Sequence, residues 1–415
     1  MSSLPAVDLS HFERARRRAA SHSSILIVLP TLDGGASDAG AVELVRILAD
    51  GGYRPVVAAQ AGRLVSDVVA AGGEFVPLNA GSTNPFALLR NGLVLARIAR
   101  ERQCAVIHAL GRASAWSAFL AARLTSTPFL TSWYKGFREQ NWFKHAYNSV
   151  MTRGDHVIAV SEQIAQLVND RYGTPRNRIA DRISVVPVSV DLERFDPNKV
   201  SRQRVEAMRN EWDVDQDTKI ILVTGRILRR KGHTTVVRAA QRLKQHGLKN
   251  FLVVFVGEDR GRTHYTGELW DLVLSTGTVD VVRMASPVSD MAAAYAAASV
   301  VISAARQPEG LQRAILEAQA MAKPVIVSDL AVGADVVLSP PAVPQDRITG
   351  LRFAAENDLA LANMVLRLFA MPEPIRRAIG TRGRKWVLEH FNPQTAAEQT
   401  LRLYERFAAP PARQN

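Results

Sequence analysis

The chain alternates short runs that are apolar throughout with longer segments whose apolar residues recur at helical spacing. SILIVLP, RPVVAAQ, GEFVPL, CAVIHAL and TPFLTSW read as strands in the first half, and DHVIAVS and RISVVPV follow a more aromatic, polar stretch. Strands without polar alternation, separated by helices, indicate a parallel sheet covered on both faces. The rhythm breaks at PVSVDLERFDPNKVS, from Pro187 to Ser201, which reads as an inter-domain linker. It restarts with KIILVTG, FLVVFVG, VDVVRM, SVVISAA and KPVIVSD, with helical segments between them, and the tail is helical from LALANMVLRLFAM onward.

This pattern predicts an α/β chain of two doubly wound, Rossmann-like domains facing one another across a cleft. The expected divisions are a basic extension over 1–22, a first domain over 23–190, a second over 191–385, and a C-terminal helix with a frayed tail over 386–415. A long last helix could cross back to the first domain. In sheets of this kind ligands collect beyond the strand C-termini, so the cleft is the expected site.

Length agrees: 415 residues fit two domains of roughly 150 to 200 residues each, with 47% apolar residues to fill two cores. The single cysteine, Cys104, lies in an apolar run, which excludes an intrachain disulfide framework and a cysteine-rich metal site. A net charge of +13 suits an anionic partner: phosphorylated small molecules, an anionic membrane surface or nucleic acid. No run reads as a nucleic-acid-binding motif. The densest basic cluster, RARRRAASH, lies on a predicted N-terminal helix that reads either as a solvated face or as a basic lip on anionic lipid. No apolar stretch approaches 20 residues and the N-terminus lacks a signal-peptide core, so the expected compartment is the cytoplasm, with peripheral contact to the inner membrane.

Four segments at predicted strand ends carry candidate chemistry. In TLDGGASDAG, Gly34 and Gly35 precede a helix, where small residues let a ligand approach backbone N–H groups. The stretch matches neither the dinucleotide fingerprint nor the P-loop. TGRILRRKG brings Arg226, Lys231 and Gly232 to a helix entrance, a pairing of guanidinium and ammonium that suits a diphosphate. The plain alternative is a solvated loop of Arg226, Arg229, Arg230 and Lys231. In FLVVFVGEDRGR, Gly257 closes a strand and Asp259 sits on the lip, where a base or sugar contact or an ordinary polar loop fits equally. PEGLQRAILEAQAMAKPVIVSD holds Glu309 and Glu317 eight positions apart, on either side of a helix start expected near Leu311. Eight positions at about 100° each rotate by about 80° beyond whole turns. The two carboxylates would therefore address different parts of an extended ligand.

Taken together, VVPVSVDLERFDP, VTGRILRRKG and PEGLQRAILEAQAMAKPVIVSD resemble the retaining, nucleotide-sugar-dependent glycosyltransferases of family 4, which have the GT-B fold. The resemblance runs from about Ser24 to Phe391 and is greatest to bacterial enzymes of lipopolysaccharide and surface-glycan synthesis. It implies that Arg226 and Lys231 hold the donor diphosphate, Glu317 the ribose diol, and Glu309, with Gly310 and Leu311 after it, the transferred sugar. Gly35 would approach the same diphosphate, and His108 would lie near the acceptor. It also implies no metal and no cofactor beyond the donor; the Asp213–Asp215 DxD match reads as accidental, because it precedes a strand instead of ending one. TSWYKGFREQ departs from the family, with Tyr134 or Lys135 where relatives carry an imidazole. Leu311 replaces an aromatic, Ala322 a glycine, and Asp335 a glutamate. A non-transferring enzyme of the same fold, such as a sugar-nucleotide 2-epimerase, and an inactive binding protein stay open as alternatives.

Overall fold

The computed structural model describes residues 23–34, 36–137, 141–174, 178–259, 261, 263–309 and 311–408. The basic extension, Gly35 and Gly310 lie outside them. The first sheet contains β1 (Ser24–Thr31), β2 (Arg54–Gln60), β3 (Glu74–Pro77), β4 (Cys104–Ala109), β5 (Phe129–Trp133), β6 (His156–Ala159) and β7 (Ile183–Val185). Its order is β3-β2-β1-β4-β5-β6-β7, parallel at every pairing. The second sheet contains β8 (Lys219–Thr224), β9 (Phe251–Val256), β10 (Val282–Ala285), β11 (Val300–Ser303), β12 (Val325–Ser328) and β13 (Leu351–Phe353). It is also parallel, ordered β10-β9-β8-β11-β12-β13. The two-domain parallel α/β architecture is as the apolar runs predict. The three-residue edge strand β13 is an addition, too short to leave a pattern.

Both sheets follow from burial. All six residues of β9 are buried, as are the first six of β1, so neither strand has a solvent face to mark with polar alternation. Helices pack closely where side chains are small: a Cβ at Gly92 would come within 2.6 Å of Leu120, so the helices Pro85–Glu101 and Arg112–Thr125 touch at that glycine. The first of these starts at Asn84, whose side chain accepts from the N–H groups of Phe86 and Ala87, with Pro85 in the first turn.

The final helix, Pro393–Ala408, leaves the second domain and packs on the first. Leu401, Leu403, Tyr404 and Ala408 share a core with Ile25, Ile27 and Leu29 of β1. The linker is fixed beside it: Val190 N–H donates to the Phe391 carbonyl, and Arg384 reaches Asp196 at 3.0 Å. Across the cleft, Glu43 pairs with Arg313 at 2.8 Å and accepts from the Ser189 hydroxyl. A Cβ at Gly136 would meet the Pro308 carbonyl oxygen at 2.5 Å, so the two domains touch backbone to side-chain-free backbone there.

The seam between helix and sheet contains a polar core. His108 on β4 is 1% exposed; its Nδ1 lies 2.5 Å from the Tyr404 hydroxyl and its Nε2 2.8 Å from the Ser132 hydroxyl. Burial pushes the imidazole pKa down to about 3, so the ring is neutral and donates through one nitrogen while accepting at the other. Tyr404→Phe removes one partner from a buried ring and should lower unfolding free energy by about 1–3 kcal/mol, read from urea denaturation. An unchanged midpoint and slope would show that water replaces the hydroxyl.

Candidate functional site

The cleft is formed where the C-terminal ends of β1, β4 and β5 meet the loops after β8 and β11. A cavity of about 230 Å³ opens there, with Ser37, Arg112, Tyr134 and Lys135 on one side and Arg226, Arg230, Glu309 and Leu311 on the other.

The basic turn after β8 is held by three glycines. Gly225 has φ +118°, and a Cβ at Gly257 would lie 2.0 Å from its carbonyl oxygen, so the ends of β8 and β9 approach through bare backbone. Gly232 has φ +74° and starts the helix His233–Gln245; a Cβ there would stand 1.8 Å from the Ala304 carbonyl oxygen. That approach brings the turn against the loop after β11, where Arg306 N–H donates to the Arg230 carbonyl at 2.8 Å. The result is a charge cluster. Glu309, 8% exposed, accepts from Lys231 Nζ at 2.9 Å and from the Arg230 guanidinium.

Burial, with Arg230 and Arg226 beside it, pushes the Lys231 ammonium down to about 7. The Glu309 carboxylate acts in the opposite direction. An ammonium on the verge of losing its proton, next to two guanidinium groups, is poised to take up an anion. Arg230 is the partner that sequence reasoning missed. It sits in a run of three basic residues, and nothing in the spacing separates the one facing inward from Arg229, which pairs outward with Glu268.

Glu317 lies elsewhere in the same domain. Its helix is Arg313–Ala320, starting two residues later than expected, so the carboxylate is just past the first turn. It accepts from the buried Tyr295 hydroxyl at 2.9 Å. Burial raises its pKa while that hydrogen bond lowers it. Gly257 is a packing glycine, and Asp259 accepts from Gly261 N–H and the Thr266 hydroxyl, ordering its own loop. Gly34 has φ +104°, and its N–H donates to the buried Asp38 carboxylate at 3.0 Å. His108 is not brought to this cavity; its two nitrogens are taken up in the core described above. Asp213 and Asp215 are exposed, between the helix Arg202–Glu211 and β8.

Two family models match along the chain: "Glycosyltransferase Family 4" over residues 39–194 and "Glycosyl transferases group 1" over residues 204–386. The chain belongs to the family 4 glycosyltransferases. It is 31% identical over 268 residues to a D-inositol 3-phosphate glycosyltransferase of Kineococcus radiotolerans, covering 62% of this chain and 58% of that one. The chain spans about half the length of the curated relatives it matches. Among solved structures it is similar to a glycosyltransferase from Rickettsia africae, with TM-score 0.81 and 26% identity over 93% of this chain and 99% of that one. It also shares its fold with Anabaena HepE in complex with UDP, with TM-score 0.78 and 16% identity over 92% and 100% of the two chains.

Against that family pattern, this glycosyltransferase family member places Lys135, not an imidazole, on the cavity wall. Tyr134, partly buried, lines the cavity beside it, and its ring stands where a Cβ on Gly40 would be, at 2.3 Å. Ala322 has φ +54°, which accounts for a glycine being the easier residue at that position. Removing the carboxylate tests the cluster without reference to any ligand. Glu309→Gln removes the carboxylate that Lys231 and Arg230 share and should lower unfolding free energy by about 2–4 kcal/mol at about pH 6, where Lys231 is charged. The loss should shrink as pH rises through about 7, where Lys231 gives up its proton; a pH-independent loss would mean that packing, not charge, is at stake.

Proposed function

We propose that this protein transfers a sugar from a nucleotide-diphosphate sugar to a glycan or lipid-linked acceptor with retention of configuration, in the synthesis of lipopolysaccharide or another surface polysaccharide. The observation that carries the reading is the convergence of Arg226, Arg230, Lys231 and Glu309 at one cleft between two parallel α/β domains. It is supported by family membership, by the fold shared with a UDP complex and by a relative named for a phosphorylated inositol.

In this reading Arg226 and Lys231, joined by Arg230, receive the donor diphosphate. As the bond from sugar C1 to phosphate oxygen breaks, negative charge accumulates on that oxygen, and the cations stabilise it most in the transition state. The acceptor hydroxyl bonds to C1 from the same face, and its proton passes to the departing phosphate oxygen. No side-chain nucleophile is required, and the positive charge comes from side chains, so the reaction proceeds without a metal. Glu309, held by Arg230 and Lys231, orients both cations and faces the sugar, with Gly310 and Leu311 following it. Glu317, steadied by Tyr295, takes the ribose hydroxyls. Gly34 and Gly35 give the first domain's approach to the phosphates, and Gly257 and Asp259 border the base and ribose. The alternative, a 2-epimerase-like enzyme of the same fold or an inactive binding protein, would bind the same donor without consuming an acceptor.

The decisive experiment is calorimetric titration with UDP-, GDP- and ADP-sugars, followed by hydrolysis and transfer assays. One donor class should bind, and Lys231→Met should weaken it by about 10- to 100-fold. The diphosphate diester of a nucleotide sugar does not titrate near neutrality, so pH isolates Lys231. Its pKa is about 7 free and higher once the anion binds. Affinity is therefore flat below about pH 7 and falls as pH rises, by up to about tenfold per unit. That slope should vanish in Lys231→Met. Binding of no donor, or none that responds to Lys231, overturns the reading.

The acceptor side adds a membrane contact to the proposal. Among the described residues no helix is long and apolar enough to cross a membrane. Yet the helix Pro85–Glu101 presents Phe86 (84% exposed), Leu89 and Leu93 on one face, and Arg90, Arg97 and Arg100 are exposed on the same helix. Trp142 and Phe143, stacked at 3.7 Å, are exposed on a further helix of the same domain, Trp142–Asn148. Apolar residues flanked by arginines suit the anionic cytoplasmic face of an inner membrane. Co-sedimentation with vesicles containing anionic lipid should fall at least fivefold in Phe86→Ser/Leu89→Ser and at high salt. Equal binding to neutral vesicles, or no response to the double variant, would remove this contact.

A further inference from the structure

Glu317 is held by more than its own helix. Its Oε2 accepts from the Tyr295 hydroxyl at 2.9 Å, and the Thr224 hydroxyl lies 3.4 Å from the same phenol oxygen, at the long limit for a hydrogen bond. Tyr295, on the helix Met291–Ala297, is buried, and burial raises its phenol well above the usual range. The phenol therefore keeps its proton and acts as the donor. A glutamate side chain has three rotatable bonds, and fixing them needs a partner whose own position is fixed. Tyr295 supplies that partner for one carboxylate oxygen; the other, Oε1, makes no hydrogen bond among the described residues.

The tyrosine is placed by the linker. Phe195, also buried, packs edge-on against its ring, with centroids 5.9 Å apart and planes at 64°. The linker holds the helix of Glu317, Arg313–Ala320, at both ends as well. At the start, Arg313 pairs with Glu43, which accepts from the Ser189 N–H and hydroxyl. At the end, the Arg384 guanidinium donates to the Ala320 carbonyl, the Phe195 carbonyl and the Asp196 carboxylate. Residues 189–196 thus reach the start of this short helix, its end, and the tyrosine that meets its only carboxylate. A helix tied in this way follows the segment that holds it, and that segment is where the chain passes from one domain to the other.

We propose that Tyr295 and Phe195 are positioning residues through which the linker sets the direction of the Glu317 carboxylate, and with it the discrimination between a ribose and a 2′-deoxyribose on the nucleotide. This role rests on the donor reading of Glu317. A carboxylate accepts from both hydroxyls of a ribose only when its oxygens face the diol, because a hydrogen bond weakens steeply with angle. A site built to bind a hydroxyl rejects the analogue that lacks it, since the buried polar group is then left unpaired. Losing the tyrosine hydroxyl should therefore appear as lost ribose selectivity, with the phosphate contacts of Arg226 and Lys231 untouched.

Full-length protein is titrated calorimetrically with UDP, GDP and ADP, and then with the 2′-deoxy form of whichever binds. Wild-type protein should prefer the ribonucleotide by about tenfold or more. Tyr295→Phe should cut that ratio by about fivefold, by weakening the ribonucleotide alone, while affinity for the 2′-deoxy form stays within about twofold. Phe195→Leu, which keeps an apolar side chain behind Tyr295 but removes the aromatic edge, should move the ratio in the same direction by at least about twofold. Added to Glu317→Gln, Tyr295→Phe should change the ratio no further, because both act through one carboxylate. The proposal is overturned if either Tyr295→Phe or Phe195→Leu leaves the ratio at its wild-type value, if Tyr295→Phe weakens both nucleotides alike, or if the double variant is additive. Wild-type protein that binds ribonucleotide and 2′-deoxynucleotide equally also overturns it, and leaves the donor reading standing. Wild-type protein that binds no nucleoside diphosphate overturns the donor reading and this role with it.

Discussion

A carboxylate buried between an ammonium and a guanidinium is tolerable only when all three are placed together, and that requirement organises the second domain. Glu309 meets Lys231 and Arg230 because the turn after β8 is pressed against the loop after β11. That pressing depends on Gly232 having no Cβ where the Ala304 carbonyl stands. The glycine, the carbonyl and the ion cluster thus form one arrangement. Backbone proximity brings the charges together, and their compensation makes the proximity affordable in a partly dehydrated cleft.

The same logic separates the two halves of the cavity. In the second domain the wall is built around one carboxylate, Glu309, shared by Lys231 and Arg230. In the first domain Asp38 closes the glycine turn on itself, and the Arg112 guanidinium lies over the Trp133 and Phe137 rings. The two walls are therefore built differently, one around a shared carboxylate and the other around a closed turn and an aromatic platform.

Much of this was legible in the chain, for reasons that differ by element. The sheets were visible because strands buried on both faces leave unbroken apolar runs, as in SILIVLP and FLVVFVG. β13 was not, because three residues carry no period. In the charge cluster, Lys231 and Glu309 stood out through their position beside glycine and proline. Arg230 did not, since local sequence cannot say which of three adjacent basic side chains turns inward. His108 sits at a strand end, where a polar residue looks functional. Its partner Tyr404 lies 296 positions away, and no local pattern reveals a tail helix folding back to satisfy it. The one-turn position of Glu317 depended on where the helix begins, the least certain feature of any periodic segment.

The crossing of the final helix has a further consequence for how such proteins can be recombined. The first domain is not a contiguous stretch of chain: its core includes Leu401 and Tyr404, which follow the whole of the second domain. A chimera that joins this first domain to another second domain at the linker would therefore pair β1 with a foreign tail. It would leave His108 facing side chains selected against a different sheet. The unit of inheritance is the first domain together with residues 393–408, so second domains can be exchanged only as an insert between two fixed ends.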